Sequence, residues 1–446
     1  MTVLTDSRSA GFKFSAKLGA TRAILRAFGL FGDPFTHLLQ GKEDPYPLYA
    51  KVRQRGPIHR SHLGSWVTGS HELGSKILRD RTLFLNREQG GVPGHEMMAD
   101  IPWNSSILGL DPPDHTRLRR LAQPAFGPKM ISKYRIQVEK LCHGLLDQAA
   151  GREGFDLIED FAGPLPLLVI GELLGVPEQY HERFVRAGRK VGPVIDGVKS
   201  LRMAREFRAA VDDLDQVFSE LIELRAKDPG DDLISRLTTA HGDGKLTTEE
   251  LLAFCTVLAV TGFETTTNLI GNAVLAMTGD RAQWNLLKDD PDLAPRAVEE
   301  TLRYDSPALQ AQRVPHQDIA LAGHHIRADS SVVVLIGAAN RDPEVYDEPD
   351  RFDLTRENPA EHLSFSGGIH YCIGAPLARM EGETALRVLV ERLPELRVSG
   401  RVQRRSSPVI SGCTRLPVSG SAPKGRGAES KSGFAAGRDQ PRRPAG

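Results

Sequence analysis

The strongest chemical signal lies near the C-terminal end, in Phe365-Ser366-Gly367-Gly368-Ile369-His370-Tyr371-Cys372-Ile373-Gly374-Ala375-Pro376. Three glycines crowd one cysteine just ahead of a segment that reads as a helix. Pro376 suits that helix's first turn, where a missing N–H is harmless. Glycines allow a tight backbone whose amides point at the sulfur, and a helix N-terminus adds partial positive charge. Both favour a thiolate over a thiol. The chemistry this serves is permanent ligation of a metal through sulfur. Cys142, Cys255 and Cys413 have no such setting and read as small buried hydrophobes.

A second signal is Leu251 to Met277, the longest apolar run of the chain. The preceding Thr247-Thr248-Glu249-Glu250 is an acidic first turn of the kind that starts a helix. Its length alone suggests a membrane span. Glu264, Thr265, Thr266, Thr267 and Asn268 in its middle make that costly. A helix about 40 Å long, buried through a protein core, fits better. A buried carboxylate is expensive unless paired or used. The threonines alone could simply bond back to carbonyls one turn earlier and bend the helix.

FSGGIHYCIG resembles the cysteine loop of the cytochrome P-450 family, phenylalanine first and glycine last. The resemblance continues in Glu300-Thr301-Leu302-Arg303, in Asn340-Arg341-Asp342-Pro343 with Pro349-Asp350-Arg351-Phe352, and in Asp111-Pro112-Pro113-Asp114-His115-Thr116-Arg117-Leu118-Arg119. Together these span roughly residues 45 to 418 in the family's order. The resemblance implies a mainly α fold with smaller β sheets, a helical domain around a haem crossed by one long buried helix. It makes Cys372 the thiolate ligand of a haem b iron, with Phe365 and Gly374 framing the loop. Thr261-Gly262-Phe263-Glu264-Thr265-Thr266 is similar to the family's oxygen-activating stretch. Gly262 would then let a flat ring approach, and Glu264 and Thr265 would relay protons as general acids. His115, Arg119, Arg313 and His370 fall where the family contacts the haem propionates, for which arginine's fork is well suited. Glu300, Arg303 and Arg351 are expected to form a buried structural network that shapes the cysteine loop.

Two positions depart from the family pattern. Ser366 stands where glycine is common, and Thr261 where alanine or glycine is usual. Thr261 is expected to narrow the pocket or hydrogen-bond the substrate.

Other elements position these residues. Ile58 to Val67 alternates like a strand, and Ser70 to Arg79 reads as a serine-capped helix. Residues 84–108, rich in Gly, Pro and Asn, read as a long functional loop. Thr116 to about Ala240 is mostly helical, with breaks at Gly127-Pro128, Gly163-Pro164 and Asp228-Pro229-Gly230. A helix around Leu293–Tyr304, strands at Ile319–Ala322 and Ser331–Ile336, and a helix from about Ala375 follow. His324-His325 reads as a turn. Residues 1–40 form an N-terminal arm, 41–418 the catalytic domain, and 419–446 a tail without apolar periodicity, expected to be disordered.

The 446 residues are 40% hydrophobic and 26% charged, with formal net charge zero. That balance excludes disorder over most of the length and argues against nucleic-acid binding. Four cysteines without paired spacing fit a reducing cytoplasm. The first residues carry no stretch of signal-peptide type, and no membrane anchor is expected. Segment 12–31 is basic and loosely amphipathic, and is expected to pack on the body. No Gly-x-Gly-x-x-Gly follows a strand, so electrons must come from a separate ferredoxin and ferredoxin reductase. Arg117, Arg120, Lys129 and Lys133 would give that donor a basic landing surface.

Asp44-Pro45-Tyr46, Ser306-Pro307-Ala308-Leu309-Gln310 and Ser407-Pro408-Val409-Ile410-Ser411-Gly412 are similar to family members that tailor macrolides and other polyketides. That analogy makes hydroxylation or epoxidation of such a small molecule the expected reaction. It places Ala308, Leu309, Val409 and Ile410 in the pocket wall, with the 84–108 loop and helices around 176–225. The alternatives are a catalytically silent family member serving a glycosyltransferase, and a peroxide-driven haem enzyme. Zinc held by His370 and Cys372 would lack two further ligands.

Overall fold

Capping chemistry sets where the main helices begin. The Ser70 side chain accepts the Leu73 N–H to open the helix His71–Arg79. Thr247 and Glu250 form a reciprocal capping box at the start of Thr248–Gly279, the long central helix. Proline stands in the first turn of Pro128–Ala149, Pro164–Leu174 and Ala375–Arg392, where its fixed φ suits the helix. The structure, a computed structural model, describes residues 8–41, 44–87, 106–149, 152–192, 194, 197–357 and 361–420.

Most of the described chain is helical. The central helix is apolar on nearly every face, as a helix surrounded by protein must be, and 21 of its residues are buried. It packs on Pro164–Leu174, Leu201–Lys227, Ala294–Tyr304 and Ala375–Arg392. One large core runs through these helices and takes in Phe161, Phe184, Phe207, Phe218, Phe254 and Trp284. Glu178–Val191 lies alongside Leu201–Lys227, and both rest on the central helix.

Strands are short and gathered to one side. Five form a sheet in the order His59–Arg60, Trp66–Thr68, Val332–Leu335, Gln310–Pro315, Leu83–Phe84. Trp66 pairs with Val332 in the one parallel junction. Arg313 lies opposite Val332 in an antiparallel one. A separate core of Ile58, Ile77, Leu78, Val332, Val334 and Leu363 glues this sheet to the His71–Arg79 helix. Near the C-terminal end Gln403–Arg404 pairs with Cys413–Arg415.

His324 and His325, expected in a turn, belong to the strand His324–Ile326 paired with Ile319–Leu321. The reversal falls at Ala322-Gly323, both with positive φ, so the glycine beside the pair was the turn signal. The described part of the 1–40 arm includes a helix, Arg8–Leu30, whose Phe14 is buried in the main core. The 84–108 loop falls largely, and the 419–446 tail almost wholly, outside the described residues. No helix among the described residues is long and apolar enough to cross a membrane.

Candidate active site

The cysteine loop closes on itself. The Cys372 N–H donates to the Phe365 carbonyl at 2.9 Å, and Ser366 and Gly368 adopt left-handed φ of 62° and 66°. A Cβ at Gly368 would lie 2.7 Å from the Leu78 carbonyl oxygen, so that position admits only glycine. Ser366 accepts a conformation that costs an L-residue about 1–2 kcal/mol, which is the physical reason glycine is common there. Its hydroxyl lies 3.3 Å from Arg313 Nη2, which donates to it.

Cys372 is surrounded by protein atoms yet keeps solvent-accessible surface. Burial raises its pKa. The amides of Gly374 and Ala375 bond to the sulfur and, with the charges of Arg119 and Arg379, work in the opposite sense. The donors expected from the sequence are in place, but in the protein alone burial outweighs them. A Cβ at Gly374 would lie 3.9 Å from Sγ, an ordinary van der Waals contact. Cys142, Cys255 and Cys413 are buried thiols, and burial pushes Cys413 up to about 11.

Positive charge gathers beside the cysteine loop, with Asp111 as a nearby carboxylate. Arg313 is 2% exposed. Its guanidinium donates to the carbonyls of Gln312, Leu78 and Gly367 and to the Ser366 hydroxyl. Burial pushes it down to about 10, with Asp111 working against that. Arg119 is half-buried and lowered by the same cause, opposed by Cys372. Neither arginine has an ion pair among the described residues. The rings of His115 and His370 lie 4.3 Å apart. His115 Nδ1 and His370 Nε2 are buried without hydrogen-bond partners. The 3.5 Å from His370 Nε2 to Asp111 Oδ1 is an electrostatic contact, too long for a good hydrogen bond. Burial, then repulsion from His370 and Arg119, lowers His115 to about 4. Orphan donors and unneutralised arginines on one wall are what a dianionic ligand requires.

On the central helix every threonine of the motif bonds back one turn. Thr261 donates to Val257 O at 2.8 Å, Thr265 to Thr261 O at 3.0 Å, Thr266 to Gly262 O at 3.1 Å and Thr267 to Phe263 O at 3.0 Å. Their hydroxyl hydrogens are committed, while the oxygens can still accept. Glu264 is buried and ion-paired to Arg405, a partner the sequence did not reveal. At Gly262 a Cβ would meet Ile170 at 2.7 Å. Its missing side chain makes room for the neighbouring Pro164–Leu174 helix.

Comparison with known proteins agrees with this geometry. The family model for Cytochrome P450 matches residues 279–405. Cytochrome P450 monooxygenase PikC of Streptomyces venezuelae is 37% identical over 388 residues, covering 84% of this chain and 91% of that protein. Polyketide biosynthesis cytochrome P450 PksS of Bacillus subtilis strain 168 is 34% identical over 403 residues, with 85% and 97% covered. The crystal structure of P450BioI in complex with an acyl carrier protein ligated to hexadec-9Z-enoic acid superposes with TM-score 0.78 at 36% identity. It covers 85% of this chain and 99% of that one. The chain belongs to the cytochrome P450 family.

The pocket residues fit the haem that P450 monooxygenases carry. Cys372 would offer the iron a thiolate, and no His/Cys/Asp/Glu cluster among the described residues would hold a bare metal ion. Arg119, Arg313, His115 and His370 are the positive and hydrogen-bonding groups that would meet two propionates.

Behind the P450 cysteine loop, Glu300 and Arg303 form the expected ion pair, bidentate at 2.7 and 2.8 Å and buried. Arg303 also donates to the carbonyls of Asn340, Pro349 and Arg351. The third arginine is not Arg351. That side chain is 56% exposed and pairs with Glu348 and Asp353, so only its carbonyl enters the network. Arg356 takes the place instead, 3.4 Å from Glu300 Oε1 and 12% exposed. It also donates to the carbonyls of Asp347, Glu348 and Arg351. Arg379 was missed as well. It makes a bidentate pair with Glu299, bonds the Tyr371 hydroxyl and stacks 4.5 Å from the Phe365 ring, bracing the loop from its far side. One heptad separates it from Cys372, the only sequence signal for it.

The four proposed wall residues are brought together. Leu309 N–H donates to Val409 O at 2.8 Å, and Ala308 bridges Ile410.

Arg356→Met should lower unfolding free energy by about 2 kcal/mol, while Arg351→Met should stay within about 0.5 kcal/mol. Denaturant titration of both distinguishes them, and equal losses would refute the reassignment. Ser366→Gly should raise the thermal midpoint by about 1–2 °C, since relief of left-handed strain exceeds one long hydrogen bond.

Proposed function

We propose that this P450 monooxygenase hydroxylates or epoxidises an unactivated carbon of a macrolide or other polyketide, using electrons from a ferredoxin and its reductase. The name of PksS supports the substrate class. The observation that supports the chemistry is the solvent-accessible Cys372 in a loop beside Arg119 and Arg313, which have no ion pair among the described residues, and beside buried imidazole nitrogens without partners.

Cys372 would hold the iron of haem b, and Arg119, Arg313, His115 and His370 its propionates. Bound haem supplies the dioxygen chemistry, which thiolate ligation biases toward O–O cleavage. The chain's own work is to orient the substrate, exclude stray water and manage protons. Thr265 presents a hydroxyl oxygen that can accept, because its hydrogen is held by Thr261 O. Thr261 can offer the substrate an acceptor only, since its hydrogen goes to Val257 O. Glu264, paired with Arg405, is the nearby acid that would exchange protons. Ala308, Leu309, Val409 and Ile410 give the substrate an apolar wall. Intact Cys372, Glu264 and Thr265 favour this reading over a silent auxiliary protein or a peroxide-driven enzyme.

For the electron donor, two of the four expected basic residues are committed elsewhere. Arg117 binds Glu250, Asp114 and the Lys245 carbonyl, and Lys133 pairs with Asp231. Arg120 and Lys129 are exposed with no ion pair among the described residues. A cytoplasmic location goes with this reading, since free thiols and a ferredoxin both belong to a reducing compartment.

Purified protein should show the reduced carbon-monoxide spectrum of thiolate-ligated haem, and Cys372→Ala should abolish it. An unchanged spectrum in that variant would sink the assignment. Macrolactones should displace iron-bound water at lower concentration than testosterone or hexadec-9Z-enoic acid. The reverse order would remove the polyketide reading and leave the reaction class intact.

Arg120→Glu with Lys129→Glu should slow ferredoxin-driven reduction several-fold at low salt and flatten its salt dependence. Stopped-flow reduction at two ionic strengths reads this, and unchanged rates would move the docking face elsewhere.

A further inference from the structure

Glu264 is gripped from two sides by elements that flank the pocket. Its carboxylate pairs with Arg405 Nη2, the acid 5% and the arginine 12% exposed. Arg405 sits in the turn between Gln403–Arg404 and Cys413–Arg415, where its N–H donates to Gly412 O at 2.8 Å. On the other side, Gly192 ends the Glu178–Val191 helix. A Cβ there would overlap the Phe263 ring and the Glu264 carboxylate. Neighbouring side chains on a helix diverge by about 100°. Thr265 is itself turned back to Thr261 O, so the acid and the alcohol are separately held.

The turn that carries Arg405 also carries Val409 and Ile410. It is fastened to the segment after Ala294–Tyr304 by Leu309 N–H to Val409 O, by Ser411 N–H to Pro307 O at 2.9 Å, and by the Ala308–Ile410 bridge. Anything pressing on Val409 or Ile410 therefore bears on the segment that aims Arg405.

We infer that Arg405 is a positioning residue that fixes the Glu264 carboxylate, tying the acid that handles protons to the turn forming the substrate wall. This rests on the monooxygenase reading above. In this role Arg405 acts on the chemistry through Glu264.

The experiment is a double-mutant cycle of Glu264→Gln and Arg405→Gln in the haem-loaded enzyme, with Arg405→Lys as the conservative variant. The first readout is the solvent deuterium isotope effect on NADPH oxidation, driven by a surrogate ferredoxin and reductase without added substrate. The second is the thermal midpoint. Arg405→Gln should change the isotope effect by about twofold or more in the wild-type background and not in the Glu264→Gln background. Arg405→Lys should restore it. The midpoint losses of the two single variants should exceed that of the double variant when summed.

An isotope effect that Arg405→Gln leaves untouched would overturn the positioning role, whatever happens to the midpoint. So would one that shifts equally in both backgrounds. Failure of the wild-type protein to give the carbon-monoxide spectrum would instead overturn the monooxygenase reading. The midpoint cycle would still report whether Arg405 and Glu264 are coupled.

Discussion

A guanidinium buried without a carboxylate constrains the whole pocket. Arg313 and Arg303 are both about 2% exposed, yet they are satisfied differently. Arg303 meets Glu300 and three carbonyls and is neutralised inside the protein. Arg313 meets only carbonyls and one hydroxyl. Dipoles reduce the penalty of burying a charge but do not cancel it. The fold holds Arg313 there by pinning its strand between Val332–Leu335 and Leu83–Phe84. On the proposed reading a propionate would complete the site. Arg119 and the unpartnered nitrogens of His115 and His370 lie in the same cluster.

The cysteine loop depends on a second, fully internal network. Its strained residues, Ser366 and Gly368, cannot hold their conformation through local bonding alone. Arg303 and Arg356 gather the carbonyls of residues 347–351 behind the loop. Asn340 bonds the Leu363 amide and the Ser364 hydroxyl just ahead of it. Arg379 stacks on Phe365 from the following helix. Three arginines thus over-determine a few residues, and Cys372 inherits its position from them.

What the sequence made legible was chemistry encoded within about ten residues. The capping box at Thr247–Glu250, the serine cap at Ser70 and the glycine-lined cysteine are all local, and each stands where expected. The pairing of Glu300 with Arg303 is local too. Arg356 and Arg351 lie five positions apart in one polar segment, and only tertiary packing decides which turns inward. Gly262 shows a related limit: a missing side chain states that something approaches closely, not whether it is ligand or helix. The Glu264–Arg405 pair spans 141 positions, and no periodicity records a contact of that kind.

The central helix shows why the missed contacts matter most at the site. A helix surrounded by protein can carry a carboxylate only if another element supplies the counter-charge. Its threonines solve their own burial by bonding back within the helix, at no demand on the rest of the fold. Glu264 cannot, because a carboxylate has no hydrogen to donate to a carbonyl. Its partner must come from outside, and the outside elements available at that depth are those that border the pocket. On the proposed reading, burying an acid where protons are needed brings it into contact with the turn that carries Val409 and Ile410. A link between proton handling and substrate wall would then follow from electrostatics before any selection for regulation acts on it.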